Sequence, residues 1–128
     1  SGKLKQGVVD MRSRMRKELL THDPDTFDIK QGRGGIVDIE FLIQYLILLH
    51  AHSLPELVTY SDNVRQIRSV EESGILDETT AYLLIRAYLL YRATTHRLNL
   101  KEEVSTLPNE TYQDLRRRVR AVWDTYLN

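Results

Sequence analysis

The chain has 128 residues, with 18 Lys or Arg balanced by 18 Asp or Glu, and it contains no cysteine. This length fits a single domain with a substantial core, and the balanced charge gives no overall attraction to nucleic acid, anionic membranes or acidic substrates. The lack of cysteine excludes disulfides, thiolate metal ligands and cysteine nucleophiles in this chain, and no apolar run approaches the ~20 residues that a membrane-spanning helix needs. We expect one cytoplasmic domain over residues 1–128, in which Ser1 and Gly2 are a cloning remnant.

The first half of the chain predicts two helices of different character. Apolar residues spaced by three and four predict an amphipathic first helix, with Arg12 and Arg16 among the arginines on its solvated faces. The second helix, from Ile36 to about His52, is apolar on nearly every side and is expected to be surrounded by protein. Between them, residues 21–35 lose this periodicity and are rich in Gly, Pro and Asp, which predicts an irregular connection.

Three further helices are predicted in the second half. Ser61 or Asp62 can cap the third, which Gly74 ends, Asp77 can cap the long fourth, and Pro108 is expected near the start of an amphipathic last helix. No segment shows the alternation of a strand. The predicted fold class is therefore all-α: an irregular bundle of about five helices, with the second and fourth as two central buried helices.

The segment Lys-Gln-Gly-Arg-Gly-Gly at residues 30–35, which we call the glycine loop, leads directly into the second helix. Glycines allow close backbone approach, the first amides of a helix can bind anions, and two side chains add positive charge. One interpretation is a phosphate site formed by Lys30, Gly32, Arg33, Gly34 and Gly35. The other is a tight turn that lets two elements pack closely. The spacing matches neither the Walker pattern nor the dinucleotide fingerprint, so both remain open.

Two carboxylates on the second helix invite a comparison. Asp38 and Glu40 lie two residues apart on a helix, so their side chains diverge and do not form a catalytic pair. Glu40 needs a partner in an apolar environment, and Arg92 or His96, one turn apart on the fourth helix, is expected to provide it in a buried polar network. This network either locks the bundle or contributes to a site.

Other residue patterns give little sign of catalysis. The arginine-rich stretch at residues 116–120 is interpreted as a solvated face, with contact to a partner or to nucleic acid as the alternative, and Tyr82, Tyr88 and Tyr91 are interpreted as core. No histidine spacing suits a metal, and neither Gly-x-Ser-x-Gly nor an Asp-x-Asp pair for Mg²⁺ occurs. The sequence thus predicts no catalytic residue and no metal ligand in this chain.

The segment at residues 30–41, with Gln-Tyr-Leu at 44–46, resembles the hallmark motif of bifunctional glutamine synthetase adenylyltransferase/adenylyl-removing enzymes. Ser-Asp-Asn-Val-Arg at 61–65 and the later Ala87, Tyr88, Arg92 and His96-Arg-Leu match the same family in order, so the resemblance covers about residues 27–100. Gly-Gly-Ile-Val-Asp-Ile-Glu-Phe at 34–41 is similar to the adenylylating half, since the removing half typically reads Gly-Gly-Ile-Arg-Glu-Ile-Glu-Phe. Tyr60 is a small departure from the Trp that relatives commonly have.

The resemblance implies a C-terminal helical domain that follows the adenylylating nucleotidyltransferase domain of a larger enzyme. Such an enzyme transfers AMP from ATP, with Mg²⁺, to a tyrosine of glutamine synthetase and removes it by phosphorolysis, under control of the PII signal protein and glutamine. The metal-binding aspartates of the family lie in the preceding domain. This fragment alone is therefore expected to be inactive.

The glycine loop and Asp38 are accordingly expected to bind ATP phosphates in the neighbouring cleft or to form the interface with the catalytic domain. Replacing Gly34 with Val should then abolish adenylylation and leave the isolated domain folded. One alternative is a docking module that binds glutamine synthetase or PII through the outer faces of the first and last helices. Another is the equivalent domain of a PII uridylyltransferase, against which residues 61–65 argue.

Overall fold

The structure, a computed structural model, describes residues 2–20, 23–58, 61–100 and 105–128. Within these residues, five α-helices dominate and are joined by one short 3₁₀ helix and two short strands. In chain order the elements are α1 (Gly2–Leu19), β1 (Thr26–Asp28), α2 (Ile36–His50), the 3₁₀ helix (Pro55–Val58), α3 (Asn63–Glu72), α4 (Glu78–Leu100), β2 (Thr106–Pro108) and α5 (Gln113–Leu127). The predicted mainly helical bundle is confirmed.

A small two-stranded sheet joins distant parts of the chain. β1 and β2 pair antiparallel, with Phe27 opposite Leu107, and the Ile29 amide donates to the Ser105 carbonyl at 3.0 Å just beyond the ladder. The sequence did not predict these strands, because three residues are too few to show a period-two pattern. The sheet holds the connection before α2 against the connection before α5.

The centre of the bundle is α2, which contacts α1, α3, α4 and α5. Its most deeply buried side chains, each at most 1% exposed, are Ile39, Leu42, Ile43 and Leu46. Burial of each such side chain stabilises the fold by roughly 1.5–3 kcal/mol relative to an exposed position. The fourth helix differs, because it buries Leu84 and Tyr91 on one face and exposes Tyr82 and Leu89 on another. The interpretation of Tyr82 as a core residue is therefore wrong.

Helix ends in the middle of the chain follow their local sequence signals. The Asp62 carboxylate accepts the Arg65 amide at 3.1 Å and caps α3, and the Asp77 carboxylate accepts the Thr80 amide at 2.7 Å and caps α4. Gly74, just after α3, has the positive φ of 81° that favours glycine. These three predictions are confirmed.

The start of α5 differs from its prediction. Pro108 lies in β2, and the helix begins only at Gln113, after Tyr112 in the left-handed region with φ 55°. That conformation costs about 1–2 kcal/mol for a residue with a β-carbon. Packing offsets this cost, since the Tyr112 ring lies 5.6 Å from that of Tyr91 and its hydroxyl shares a 2.7 Å hydrogen bond with Thr94 Oγ1.

Candidate functional site

Asp38, in the first turn of α2, collects a set of buried charges. The Arg12 guanidinium on α1 is fully buried and donates from Nε to Asp38 Oδ1 at 2.6 Å. Arg16, one turn further along α1, donates to the same oxygen at 2.8 Å. The other oxygen, Oδ2, accepts the Gly34 amide at 2.8 Å. One carboxylate thus ties α1, α2 and the glycine loop together.

Arg12 is satisfied on every side of its guanidinium. Besides the bond to Asp38, it donates to the Gln31 side-chain oxygen at 3.0 Å and to the Gln31 carbonyl at 2.8 Å, and it lies 5.8 Å from the centroid of the Phe41 ring. A buried ion requires this degree of pairing, and removing one partner of such a pair typically costs 3–5 kcal/mol. The expectation that Arg12 lies on a solvated face is wrong, because α1 turns it toward Asp38.

Arg16 lies at the edge of this arrangement and is half-buried. Burial is the largest cause that lowers the pKa of its guanidinium, and the charges of Arg12 and Arg33 lower it further, whereas Asp38 opposes the shift. The like charge of Arg33 therefore lies close enough to act on Arg16. Positive charge is concentrated where the glycine loop passes the end of α1.

The three glycines of the glycine loop are required by close packing. A β-carbon on Gly34, which has φ 78°, would lie 2.5 Å from the Arg116 carbonyl oxygen of α5. On Gly35 it would lie 2.5 Å from the Ile29 oxygen, and on Gly32 at the same distance from the Asp28 oxygen. The interpretation as a tight packing turn accounts for all three residues. Replacing Gly34 with Val is consequently expected to disturb the fold, contrary to the expectation from sequence.

The amides that a phosphate site would need at the start of α2 already have partners. The Ile36 amide donates to the Ile29 carbonyl at 2.9 Å, and the Val37 amide donates to the Lys30 carbonyl at 3.1 Å. The Gly35 amide donates to the Gly32 carbonyl at 3.0 Å, and the Gly34 amide is bound by Asp38. An anion at this helix start would have to displace these bonds, so the geometry does not favour one there.

The predicted site residues thus divide into two groups. Gly32, Gly34, Gly35 and Asp38 are buried and form the frame of the glycine loop. Lys30 and Arg33 are exposed, and neither forms an ion pair with another of the described residues. Their charged ends project outward from a rigid backbone. This arrangement can bind an external anion or an acidic surface, but it holds no nucleophile beside a base.

The predicted buried network of Glu40, Arg92 and His96 is wrong. Arg92 and His96 are both exposed, because they lie on the solvent side of α4, opposite its buried residues. Glu40 is half-buried and instead accepts a 3.2 Å hydrogen bond from the Asn63 side-chain amide, which also donates to the Tyr88 hydroxyl at 2.9 Å.

The arginine-rich stretch of α5 contains one residue that differs from the rest. Arg117 and Arg118 are exposed and pair with Asp114 one turn earlier, as expected of a solvated face. Arg116 instead lies with its guanidinium carbon 3.8 Å from the centroid of the Phe27 ring, and it donates to the carbonyls of Asn109 at 2.5 Å and of Thr111 at 3.2 Å. For Arg116 the prediction of a solvated face is wrong.

Sequence reasoning missed Arg12, Arg16 and Gln31 as parts of the site. A signal did exist: Leu4 and Val8 pack against the core, and steps of four from them lead to Arg12 and Arg16. Asp38 in an apolar helix also calls for a cation. Only the folded structure shows that the arginines of α1 are the cations that pair with Asp38.

The described residues include no group of three or more His, Cys, Asp or Glu side chains placed to hold a metal ion. In that same part of the chain, no helix is long and apolar enough to cross a membrane.

Comparison with known proteins places these features in a family. A family model described as GlnD PII-uridylyltransferase matches residues 8–120. Curated relatives named bifunctional glutamine synthetase adenylyltransferase/adenylyl-removing enzyme cover nearly the whole chain. The one from Nitrosococcus oceani is 39% identical over 98% of this chain and 13% of its own length. Those from Pasteurella multocida and Shewanella loihica are both 42% identical, over 94% and 98% of this chain and over 12% and 13% of their own lengths.

The chain therefore spans only about an eighth of the length of the curated relatives it matches, 12–13% in these three. The resemblance noted from the glycine loop and residues 61–65 is confirmed at nearly full chain length. The family model covers both the buried Asp38 arrangement and the arginine-rich stretch of α5. The chain belongs to the family that this model describes, GlnD PII-uridylyltransferase, and within it is similar to the glutamine synthetase adenylyltransferases.

Proposed function

We propose that this chain is the helical accessory domain of an enzyme that adenylylates and deadenylylates glutamine synthetase. In that enzyme, AMP passes from ATP to a tyrosine of glutamine synthetase, and ATP and Mg²⁺ are bound by the preceding nucleotidyltransferase domain. The names of the curated relatives support this assignment. The fragment alone is inactive under this proposal, and the enzyme works in the cytoplasm.

The chain follows the adenylylating catalytic domain under this proposal, since residues 34–41 and 61–65 are similar to that half of the family. The described residues contribute no metal-holding cluster of their own. Under this proposal the domain positions other parts of the enzyme.

The observation that carries the proposal is the rigidity of the glycine loop and the direction of its charges. Asp38 fixes the loop from within, and Gly34 lies against the Arg116 carbonyl, so the backbone cannot shift without disturbing α1, α2 and α5. Lys30 and Arg33 are left exposed on this frame. We place them at the interface with the nucleotidyltransferase domain, beside its active cleft.

The test reverses both exposed charges, by Lys30→Glu with Arg33→Glu, in the full-length enzyme. Reversing two charges at an interface removes favourable contacts and adds repulsion, and each ~1.4 kcal/mol lost in this way lowers a rate tenfold. We therefore expect AMP transfer to glutamine synthetase to fall about tenfold or more. The isolated domain should stay folded, since both side chains are exposed and neither forms an ion pair with another described residue. Incorporation of labelled AMP gives the rate.

The matched control is Arg117→Glu with Arg118→Glu, which reverses two exposed charges on the outer face of α5. Transfer should stay within twofold of the wild-type rate. Full activity of the Lys30 and Arg33 variant would contradict the proposed interface.

The second candidate is a docking module for glutamine synthetase or PII. It is favoured by an apolar groove of about 440 Å³ between α1 and α2, lined by Leu4, Val8, Met11, Phe41 and Leu48 among others. Met11 and Leu48 are 55% and 57% exposed, so the groove presents two large apolar side chains to solvent. Loss of partner binding after Met11→Asp with Leu48→Asp, with normal binding in the Lys30 and Arg33 variant, would favour this candidate.

A further inference from the structure

A cleft of about 360 Å³ opens where the end of α1, the glycine loop and α5 meet. Four arginines, one or two from each of these elements, line it: Arg16, Arg33, Arg116 and Arg120. We call it the arginine cleft. Phe27 and Gly32 also line it, together with the carboxylates of Asp23 and Asp28. Four arginines and two aspartates thus line a single concave site.

The two carboxylates of the arginine cleft are already used by the backbone. Asp23 accepts the Asp25 amide at 3.0 Å, and Asp28 accepts the amides of Lys30 and Gln31, both at 3.0 Å. These bonds hold the turns of the chain and take up acceptor capacity that could otherwise satisfy the arginines. Because four arginines line the cleft against two aspartates, the cleft also has an excess of positive charge.

Two of the arginines form a fixed base for the cleft. Arg16 is held by Asp38 through Nη2, and Arg116 is held by the Asn109 and Thr111 carbonyls through Nη1. Within the described part of the chain, Arg16 Nη1 and Arg116 Nη2 make no hydrogen bond. The Arg116 Nε atom is buried and also without a partner there. Each of these arginines thus keeps one Nη group, Arg16 Nη1 or Arg116 Nη2, for a ligand.

The other two arginines are exposed and unpaired. Neither Arg33 nor Arg120 forms a hydrogen bond or an ion pair with another described residue. Each adds a like charge beside one of the fixed arginines, since Arg33 acts on Arg16 and Arg120 acts on Arg116. Such an arrangement repels itself when empty, and an anion between the four guanidiniums relieves that repulsion.

We propose that the arginine cleft binds a compact phosphoryl anion, one or two phosphoryl groups in size. The guanidinium fork matches phosphate oxygens with two parallel bonds, and several forks converge here. The volume lies at the small end of the ~300–1,000 Å³ typical of ligand sites, which suits a compact anion better than an extended chain. The proposal goes beyond the accessory role, because the whole cleft belongs to this chain.

The test uses this chain alone and titrates it with inorganic pyrophosphate, inorganic phosphate and acetate at one constant ionic strength. Calorimetry measures the affinity, and the NMR signals of the arginine Nε–H groups report the location. We expect saturable pyrophosphate binding, weaker phosphate binding, no saturation with acetate, and shifts of Arg16 and Arg116. No saturation by millimolar pyrophosphate would overturn the proposal, as would equal affinity for acetate, which would indicate a site for protein carboxylates.

Single substitutions then locate the site. Arg33→Ala and Arg120→Ala should each weaken pyrophosphate binding about tenfold, since each removes one charge-assisted contact worth ~1.4 kcal/mol. Both residues are exposed, so circular dichroism should show an intact fold. The matched control is Arg117→Ala on the same helix, whose side chain pairs with Asp114 and does not line the cleft, and it should change the affinity less than twofold. An equal loss in this control would show non-specific attraction and overturn the proposal.

Because no catalytic domain is present in this titration, its outcome is separate from that of the AMP-transfer experiment. A chain that binds pyrophosphate in the arginine cleft can still fail to use Lys30 and Arg33 at an interface.

Discussion

Asp38 and Glu40 are two carboxylates on the same helix, two residues apart, with very different surroundings. Asp38 is 3% exposed and is bound by two arginines and a backbone amide. Glu40 is half-buried and accepts one hydrogen bond from a neutral asparagine. The rotation of about 200° between positions i and i+2 of a helix directs one into the packed junction of three elements and the other toward the margin of α3. The structural role of a charged side chain on a helix therefore depends on the direction in which that side chain points.

The largest test of this comparison replaces each carboxylate by its amide. Asp38→Asn leaves Arg12 buried without its counter-charge, so we expect unfolding free energy to fall by about 3–5 kcal/mol. Glu40→Gln keeps an acceptor for Asn63 at a partly solvated position and should cost less than about 1 kcal/mol. Urea unfolding of the two variants measures both values. Equal losses would mean that the buried ion pair contributes no more than the half-buried hydrogen bond of Glu40.

A second test moves from the carboxylate to the glycine that it binds. Gly34→Ala introduces a β-carbon against the Arg116 carbonyl at a positive φ, and we expect a loss of roughly 2–4 kcal/mol. Gly74 is the matched control, because it has nearly the same φ, 81°, and open space around its β-carbon position. Gly74→Ala should cost only the ~1–2 kcal/mol of the left-handed backbone. If the two losses are the same, close packing against α5 is not what requires Gly34.

The smallest expected effect concerns Asp77, whose exposed carboxylate is a third case beside the buried Asp38 and the half-buried Glu40. Hydrogen bonds from the side chain and the backbone amide of Thr80 lower the pKa of Asp77 below its ordinary value of 3.8. A group whose pKa is lowered on folding stabilises the fold above its unfolded pKa and loses this contribution as the pH falls through the folded pKa. Stability should therefore decline slightly as the pH drops below about 4.

Asp77→Asn retains a capping side chain without this titration, so its unfolding curves should show a flatter pH dependence over the same range. The comparison of wild type and variant isolates the contribution of this one carboxylate. An unchanged slope would assign the acid sensitivity to other groups.

Local sequence signals predicted what depends on a few neighbouring residues. Asp62 and Asp77 cap their helices and Gly74 ends α3 because each acts within one turn of the chain. The glycine loop was also recognisable as a special segment. The sequence did not decide whether this loop is a phosphate site or a packing turn, because that depends on α5, more than 80 residues away.

Features that depend on distant partners could not be predicted. The spacing of α1 places Arg12 in line with Leu4 and Val8, but it does not show that Asp38 and Gln31 lie opposite it. Arg116 differs from Arg117 because Phe27 lies under it. Arg92 lies on the side of α4 that faces solvent, and only the packing of the bundle decides which side that is. In each case the helix itself was predicted correctly and its rotation was not.

The pairing of β1 with β2 has a consequence for the order of folding. These strands join residues 26–28 to residues 106–108, so their contact closes a segment that contains α2, α3 and α4. Closing a loop of about 80 residues costs roughly 4 kcal/mol of chain entropy beyond a constant term, which makes this contact a late one. Gly34 touches Arg116 only after α5 has docked. The glycine loop thus acquires its final shape near the end of folding, when both halves of the chain have already met.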